Sequence, residues 1–135
     1  MMICLDANCV IYLVEQTPIW GPKISARLAK VIMDGHAIAM SDLTRTECLT
    51  GPLKVGDAAI LSDYQRFFSH ADVTMLPLNP AVCERAAEIR AASRMSIKVP
   101  DALHIAAAII HGCDLFLTHD TQLLACKLIP VEILA

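Results

Sequence analysis

Five short apolar runs, separated by segments of helical period, constrain this chain more than any other feature. They are Met2–Leu5, Ala37–Met40, Val73–Leu76, Leu115–Thr118 and Val131–Leu134. Runs of this length bounded by turn residues read as buried strands. Between them, helices are predicted at Asn8–Gln16 and Lys23–Asp34, the latter with Ile24, Leu28, Val31 and Ile32 on one side. A third helix, capped by Ser41 or Asp42, runs to about Leu49, where Gly51 and Pro52 break it. Further helices are predicted at Asp57–Phe68, at Pro80–Ser93 behind an Asn79 cap, from Pro100 to His111, and at Thr121–Cys126. Thr17–Pro22 reads as a turn marked by Pro18, Gly21 and Pro22, while Gly35 and Gly112 read as helix stops. Strands alternating with helices predict an α/β fold with a mostly parallel sheet. In such sheets functional groups gather beyond the carboxyl ends of the strands.

The chain of 135 residues fits one domain, residues 1–135, long enough to bury a core without disulfides or a structural metal. No repeat, low-complexity tract or linker divides it. Hydrophobic residues make up 56% and the mean hydropathy is +0.53. A membrane span needs roughly 18 or more consecutive apolar residues, and Ile105–Ile110 falls far short. The expectation is instead much buried helix plus a partner surface, with Ile11, Val14, Phe67 and Phe68 as interface candidates. No basic residue precedes the apolar run at the N-terminus, so no secretory signal is read and a cytoplasmic location is expected. Six cysteines without a C-x-x-C pair read as buried, reduced thiols. A net charge of −3 argues against a passive nucleic-acid binder, which is usually basic.

Four carboxylates stand out by position. Asp6 directly follows the first strand, Glu47 lies in the helix after the second, Asp101 sits in the first turn of the helix after Pro100, and Asp120 follows the fourth strand. A parallel sheet can turn all four toward one end. Asp101 or Asp120 alone could simply favour a helix N-terminus, and Glu47 could be a solvated helix residue. Asp6 resists such a reading, because a carboxylate abutting Ile3-Cys4-Leu5 costs several kcal/mol if unpaired, on the order expected for buried charge, or becomes protonated. A hard divalent cation such as Mg²⁺ removes that cost and can promote phosphodiester hydrolysis.

The segments Leu5-Asp6-Ala7-Asn8, Ser41-Asp42-Leu43-Thr44-Arg45-Thr46-Glu47-Cys48-Leu49, Val99-Pro100-Asp101-Ala102-Leu103-His104-Ile105-Ala106-Ala107-Ala108 and Leu117-Thr118-His119-Asp120 resemble the PIN domain. Within it they resemble VapC-type toxins of bacterial toxin–antitoxin pairs. The resemblance runs in order along nearly the whole chain, and the block around Asp101 is its most specific part. It implies a three-layer α/β/α sandwich with a central, mostly parallel sheet, and a metal site at Asp6, Glu47, Asp101 and Asp120. It also implies Mg²⁺ or Mn²⁺, cleavage of RNA, a homodimer, and a small cognate antitoxin that blocks the site. The family often has Thr or Ser at the position of Ala7, so one hydroxyl near the site is missing here.

On this reading Asp6 and Asp101 are the main metal ligands, directly or through water, and Glu47 and Asp120 position waters or a second ion. Asn8 and Thr118 support the ligands by hydrogen bonding. Arg45, Lys54, Arg94 and Lys98 are candidates for RNA phosphate contacts. His104 shares a helix face with Asp101 and reads first as a core or boundary histidine. Tyr12 and Trp20 are too isolated to suggest a base-stacking platform, and His119 receives no role. Two rivals are an aspartyl-nucleophile phosphatase built on Asp6, disfavoured by Asn8 where a second Asp is usual, and a catalytically silent RNA- or protein-binding module.

Overall fold

A computed structural model describes residues 1–135. Its elements follow in the order β1 (Met2–Leu5), α1 (Ala7–Val14), α2 (Trp20–Met33), β2 (Ala37–Ser41), α3 (Leu43–Val55) and α4 (Ala58–Phe68). Then come β3 (Val73–Leu76), α5 (Pro80–Ala92), α6 (Val99–Ile110), β4 (Leu115–Thr118), a 3₁₀ turn (Thr121–Ala125) and β5 (Val131–Ile133). The five strands pair in parallel in the order β3-β2-β1-β4-β5. The expected sandwich is therefore present, and its sheet is wholly parallel.

Alternation along the strands sorts the core into two layers. Cys4, Ala39 and Phe116 face one side, where α5 and α6 pack with Val82, Ala86, Ile89, Ile105 and Ala106. Ile3, Leu5, Ile38, Met40 and Leu117 face the other, against α1 to α4 through Val10, Ile24, Leu28, Tyr64 and Phe68. The small side chains Cys4 and Ala39 meet the small residues Ala102, Ala106, Ala107 and Ala108, all buried, which lets α6 lie close on the sheet. No helix is long and apolar enough to cross a membrane.

Four sequence expectations change. First, α2 starts at Trp20 and takes in Gly21 and Pro22, which had been read as a turn. The first helical turn has no carbonyl partners for its N–H groups, so a proline there loses nothing. Second, α3 runs through Gly51 and Pro52 to Val55 before Gly56, at φ +71°, ends it. Proline inside a helix costs about 3 kcal/mol, and burial of the Pro52 ring offsets part of that. Third, Cys83 is exposed and Cys113 half-buried, while Cys4, Cys9, Cys48 and Cys126 are buried free thiols. Fourth, Phe68, offered as an interface residue, belongs to the core, and Ile11, Val14 and Phe67 pack partly against it.

Candidate active site

The connections from β1 and from β4 leave the sheet in opposite directions, since β2 and β5 lie on opposite flanks of this central pair. Such a switch point opens a crevice at the carboxyl ends of the two strands. Asp6 stands there as the first residue beyond β1 and is 4% exposed. Its backbone N–H donates to the Leu117 carbonyl at 2.9 Å, continuing the β1–β4 ladder. Its Oδ1 accepts from the Ala7 N–H at 2.9 Å, capping α1, and its Oδ2 accepts from Thr118 Oγ1 at 2.7 Å. Thr118 Oγ1 accepts in turn from the Asp120 N–H at 3.1 Å. Asp120 Oδ1 accepts from the Gln122 N–H at 3.0 Å, so Asp120 does cap the 3₁₀ turn. Asp101 does not act as a cap: Lys98 holds that position in α6, and the half-buried Asp101 sits in the first turn.

Glu47 reaches the same end of the molecule from α3. His104 Nε2 is hydrogen-bonded to Glu47 Oε1, and Ser41 Oγ is hydrogen-bonded to His104 Nδ1 at 2.7 Å. Ser41 and His104 are fully buried. Both ring nitrogens are thus engaged, and the imidazole fixes the Glu47 carboxylate against the middle of α6. The sequence reading of His104 as a core residue is half the story, because its outer nitrogen faces a site carboxylate. The signal was the Asp101-x-x-His104 spacing, which puts both on one helix face.

The electrostatics mark the four acids as one group. Burial is the main cause that lifts the Asp101 carboxyl from its ordinary 3.8 to about 6, followed by the charges of Asp6 and Asp120, with Glu47 adding to them and His104 opposing. Burial also raises Asp6, against the pull of His104, Thr118 and the Ala7 N–H, and Glu47 pushes it further up. No three His, Cys, Asp or Glu side chains converge closely enough to hold an ion by themselves. Carboxylate oxygens are the donors that Mg²⁺ or Mn²⁺ prefer, and these ions keep waters and often take only one or two carboxylates directly. Asn8 Oδ1, two residues beyond Asp6, is buried without a hydrogen-bond partner, as is Thr44 Oγ1 one helical turn before Glu47. Buried polar atoms of this kind call for a water or an ion.

The basic residues named from sequence are dispersed. Arg45 Nε donates to Asp42 Oδ1 at 3.0 Å and its guanidinium lies 5.3 Å from the Phe68 ring. Lys54 is exposed in the last turn of α3, two turns beyond Glu47. Arg94 is exposed at φ +53° after α5, and Lys98 is exposed immediately before α6, three residues from Asp101. Reasoning from sequence also missed an aromatic group at this end. Tyr12, Trp20 and His119 pack together, with ring centroids 3.9 to 6.2 Å apart.

Comparison with solved structures finds the same fold in other proteins. VapBC2 from Rickettsia felis, bound to a DNA fragment from its promoter, matches at a TM-score of 0.83 and 17% identity, covering 100% of both chains. DNA-bound VapBC from Salmonella typhimurium matches at 0.80 and 18%, covering 100% of this chain and 99% of the other. FitAcB from Neisseria gonorrhoeae matches at 0.70 and 20%, covering 96% of each. No match was found among curated proteins. The family model described as PIN domain matches residues 3–127, nearly the whole sequence. On that match, the chain belongs to the PIN domain family.

Proposed function

We propose that this chain is a metal-dependent endoribonuclease that cleaves RNA phosphodiesters as the toxin of a toxin–antitoxin pair. The observation that carries the reading is the buried Asp6 carboxylate at the switch point of the sheet, held by Thr118 and the Ala7 N–H, with Asp101 and Asp120 close enough for their charges to be felt. Four acids held at one crevice at such cost make sense when a cation neutralises them. When bound, Mg²⁺ or Mn²⁺ supplies Lewis-acid polarisation of the phosphodiester and a more acidic water. The chain's residues do the rest. Asp6 and Asp101 hold the ion, and Glu47 and Asp120 orient waters around it. Thr118 aims the Asp6 carboxylate, His104 aims Glu47, and Asn8 offers its free Oδ1 to a water. Arg45, Lys54, Arg94 and Lys98 are the phosphate contacts of the reading. Retention of all four acids and the Asp101 shift disfavour the silent binding module.

The partner reading rests on the complexes the fold resembles and on an apolar hollow between α2 and α4. That hollow, of about 580 Å³, is lined by Leu13, Leu28, Ile32, Met33, Phe67 and Val73. Ile32 and Met33 are 50% and 85% exposed, a large apolar surface for a lone chain. We assign the hollow to the antitoxin, the remaining apolar surface to a homodimer, and the free thiols to a cytoplasmic setting.

The test is cleavage of total cellular RNA by antitoxin-free protein with Mg²⁺, with Mn²⁺ and with EDTA, beside Asp6→Asn. The expected result is metal-dependent cutting at discrete sites, lost in Asp6→Asn. A folded protein that cuts nothing, or an Asp6→Asn variant that cuts as well as the parent, overturns the reading.

A further inference from the structure

Tyr12, Trp20 and His119 come from three separate parts of the chain, the second turn of α1, the first residue of α2, and the loop after β4. The Tyr12 hydroxyl and His119 Nδ1 share a hydrogen bond of 2.7 Å. Trp20 lies 3.9 Å from His119 and 6.2 Å from Tyr12 between ring centroids, and Tyr12 lies 5.5 Å from His119. Lys23 Nζ stands 4.7 Å from the Trp20 ring centre and is exposed. Core aromatics of this chain, Tyr64, Phe68 and Phe116, are at most 5% exposed. Tyr12, Trp20 and His119 are half-buried instead, with Tyr12 and Trp20 at the margin of the core on the α1–α4 side.

The local backbone is built to hold this arrangement. A Cβ on Gly21 would stand 3.1 to 3.2 Å from backbone atoms of Gln16 and Tyr12, so any larger residue would force the start of α2 and α1 apart by a few tenths of an ångström. Ile19, immediately before Trp20, has φ +72° and ψ −57°, and the Trp20 N–H donates to the Pro18 carbonyl at 2.9 Å. That is a γ-turn of the rare, strained hand. It is formed here by a β-branched residue whose side chain is 68% exposed and gains little from packing. Strain of this kind clusters at functional sites. The group also adjoins the carboxylates. His119 lies between Thr118 and Asp120, Tyr12 is one helical turn beyond Asn8, and the Asp6 charge reaches the Tyr12 hydroxyl.

We propose that Tyr12, Trp20 and His119, with Lys23 beside them, form a subsite on which a base of single-stranded RNA stacks next to the cleaved phosphodiester. The proposal rests on the nuclease reading for its position in a reaction, and it solves a difficulty of that reading. A chain of net charge −3 with dispersed basic residues has little counter-charge with which to hold RNA. Stacking on aromatic faces supplies affinity that needs little charge and tolerates any base. Lys23 then offers a cation to the phosphate flanking the stacked base.

Trp20 is the only tryptophan in the chain, so its emission reports on this subsite directly. The experiment titrates the protein in EDTA, where no metal-dependent cleavage occurs, with single-stranded octa-adenylate RNA and with a ribose-phosphate octamer lacking bases. Saturable quenching by the first and none by the second is expected. In Mg²⁺ or Mn²⁺, Trp20→Leu raises KM on the order of tenfold with the loss in KM rather than kcat, and Trp20→Phe restores most of it. Equal quenching by the base-free octamer, no quenching by either, or a parental KM in Trp20→Leu overturns the subsite. Cleavage by the parent without quenching sinks the subsite alone, whereas quenching by a parent that cleaves nothing supports the subsite and sinks the nuclease reading.

Discussion

The Thr118 hydroxyl donates a 2.7 Å hydrogen bond to Asp6 Oδ2, joining the last residue of β4 to the residue that follows β1. The bond spans the switch point of the sheet, and both partners are buried. It orients the most deeply buried carboxylate of the candidate site. A hydrogen bond to a charged group contributes about 1.5–3 kcal/mol, and its loss leaves the acceptor short of a partner. Thr118→Val keeps the shape and removes the donor. It is expected to lower unfolding free energy by about that amount in urea titrations. Affinity for Mn²⁺, followed by calorimetry, falls about 10- to 100-fold, the usual effect of losing a group that orients a ligand. Unchanged Mn²⁺ affinity in the folded variant would separate Thr118 from the metal reading.

A second prediction concerns pH and metal together. The folded Asp101 carboxyl titrates near 6 against an ordinary 3.8, so the folded chain holds this proton more tightly than the unfolded one. The resulting penalty on folding is fully present above about pH 6 and is relieved as pH falls toward 4. Metal-free protein should therefore melt at a higher temperature at pH 5.5 than at pH 7.5, with Mg²⁺ raising the pH 7.5 value more. Asp101→Asn should flatten this dependence, stabilise the metal-free protein at pH 7.5 and abolish cleavage. A parent whose melting temperature falls steadily on acidification contradicts the assignment.

His104 gives a third. The amide nitrogen of glutamine can stand in for Nε2 and that of asparagine for Nδ1, so the two substitutions separate the two ends of the Ser41–His104–Glu47 chain. His104→Gln retains a donor for Glu47 and His104→Asn retains the link to Ser41. Both are expected to cost about 1–3 kcal/mol through one unmatched buried group. Their cleavage rates should differ, with His104→Asn about 10-fold or more below His104→Gln because Glu47 is released. Equal rates would assign His104 to the core alone.

The fold was readable because each strand is a short apolar run and each turn carries its own chemistry. Asn79, Gly35 and Gly112 end or start helices where their backbone preferences demand it. The two boundary errors, at Pro22 and Pro52, share one cause. Proline reads as a stop in one dimension, yet a first-turn position or a buried ring makes it acceptable in three. The four acids stood out as candidates because Asp6 abuts a buried strand, Glu47 and Asp120 come after β2 and β4, and Asp101 lies in the first turn of α6. The packing of His104 on Glu47 and the meeting of Tyr12, Trp20 and His119 were not readable. Tyr12 and His119 are 107 residues apart, and only the β1–β4 pairing brings them together.

Ile19 offers the last prediction, in which stability and function move in opposite directions. Its φ of +72° costs on the order of 1–3 kcal/mol for a β-branched side chain. Glycine adopts this conformation freely, but it takes back about 0.5–1 kcal/mol through the greater freedom of the unfolded chain. Ile19→Gly should therefore raise unfolding free energy by about 1 kcal/mol, read from urea denaturation. The exposed side chain contributes little packing that would be lost. Glycine also widens the range of backbone angles before Trp20, so the indole is held less firmly against His119. RNA octamer affinity, read from Trp20 quenching in EDTA, should fall several-fold while stability rises. A variant that loses stability would mean that the γ-turn is not strained, and one that gains stability with unchanged RNA affinity would mean that the strain does not position Trp20.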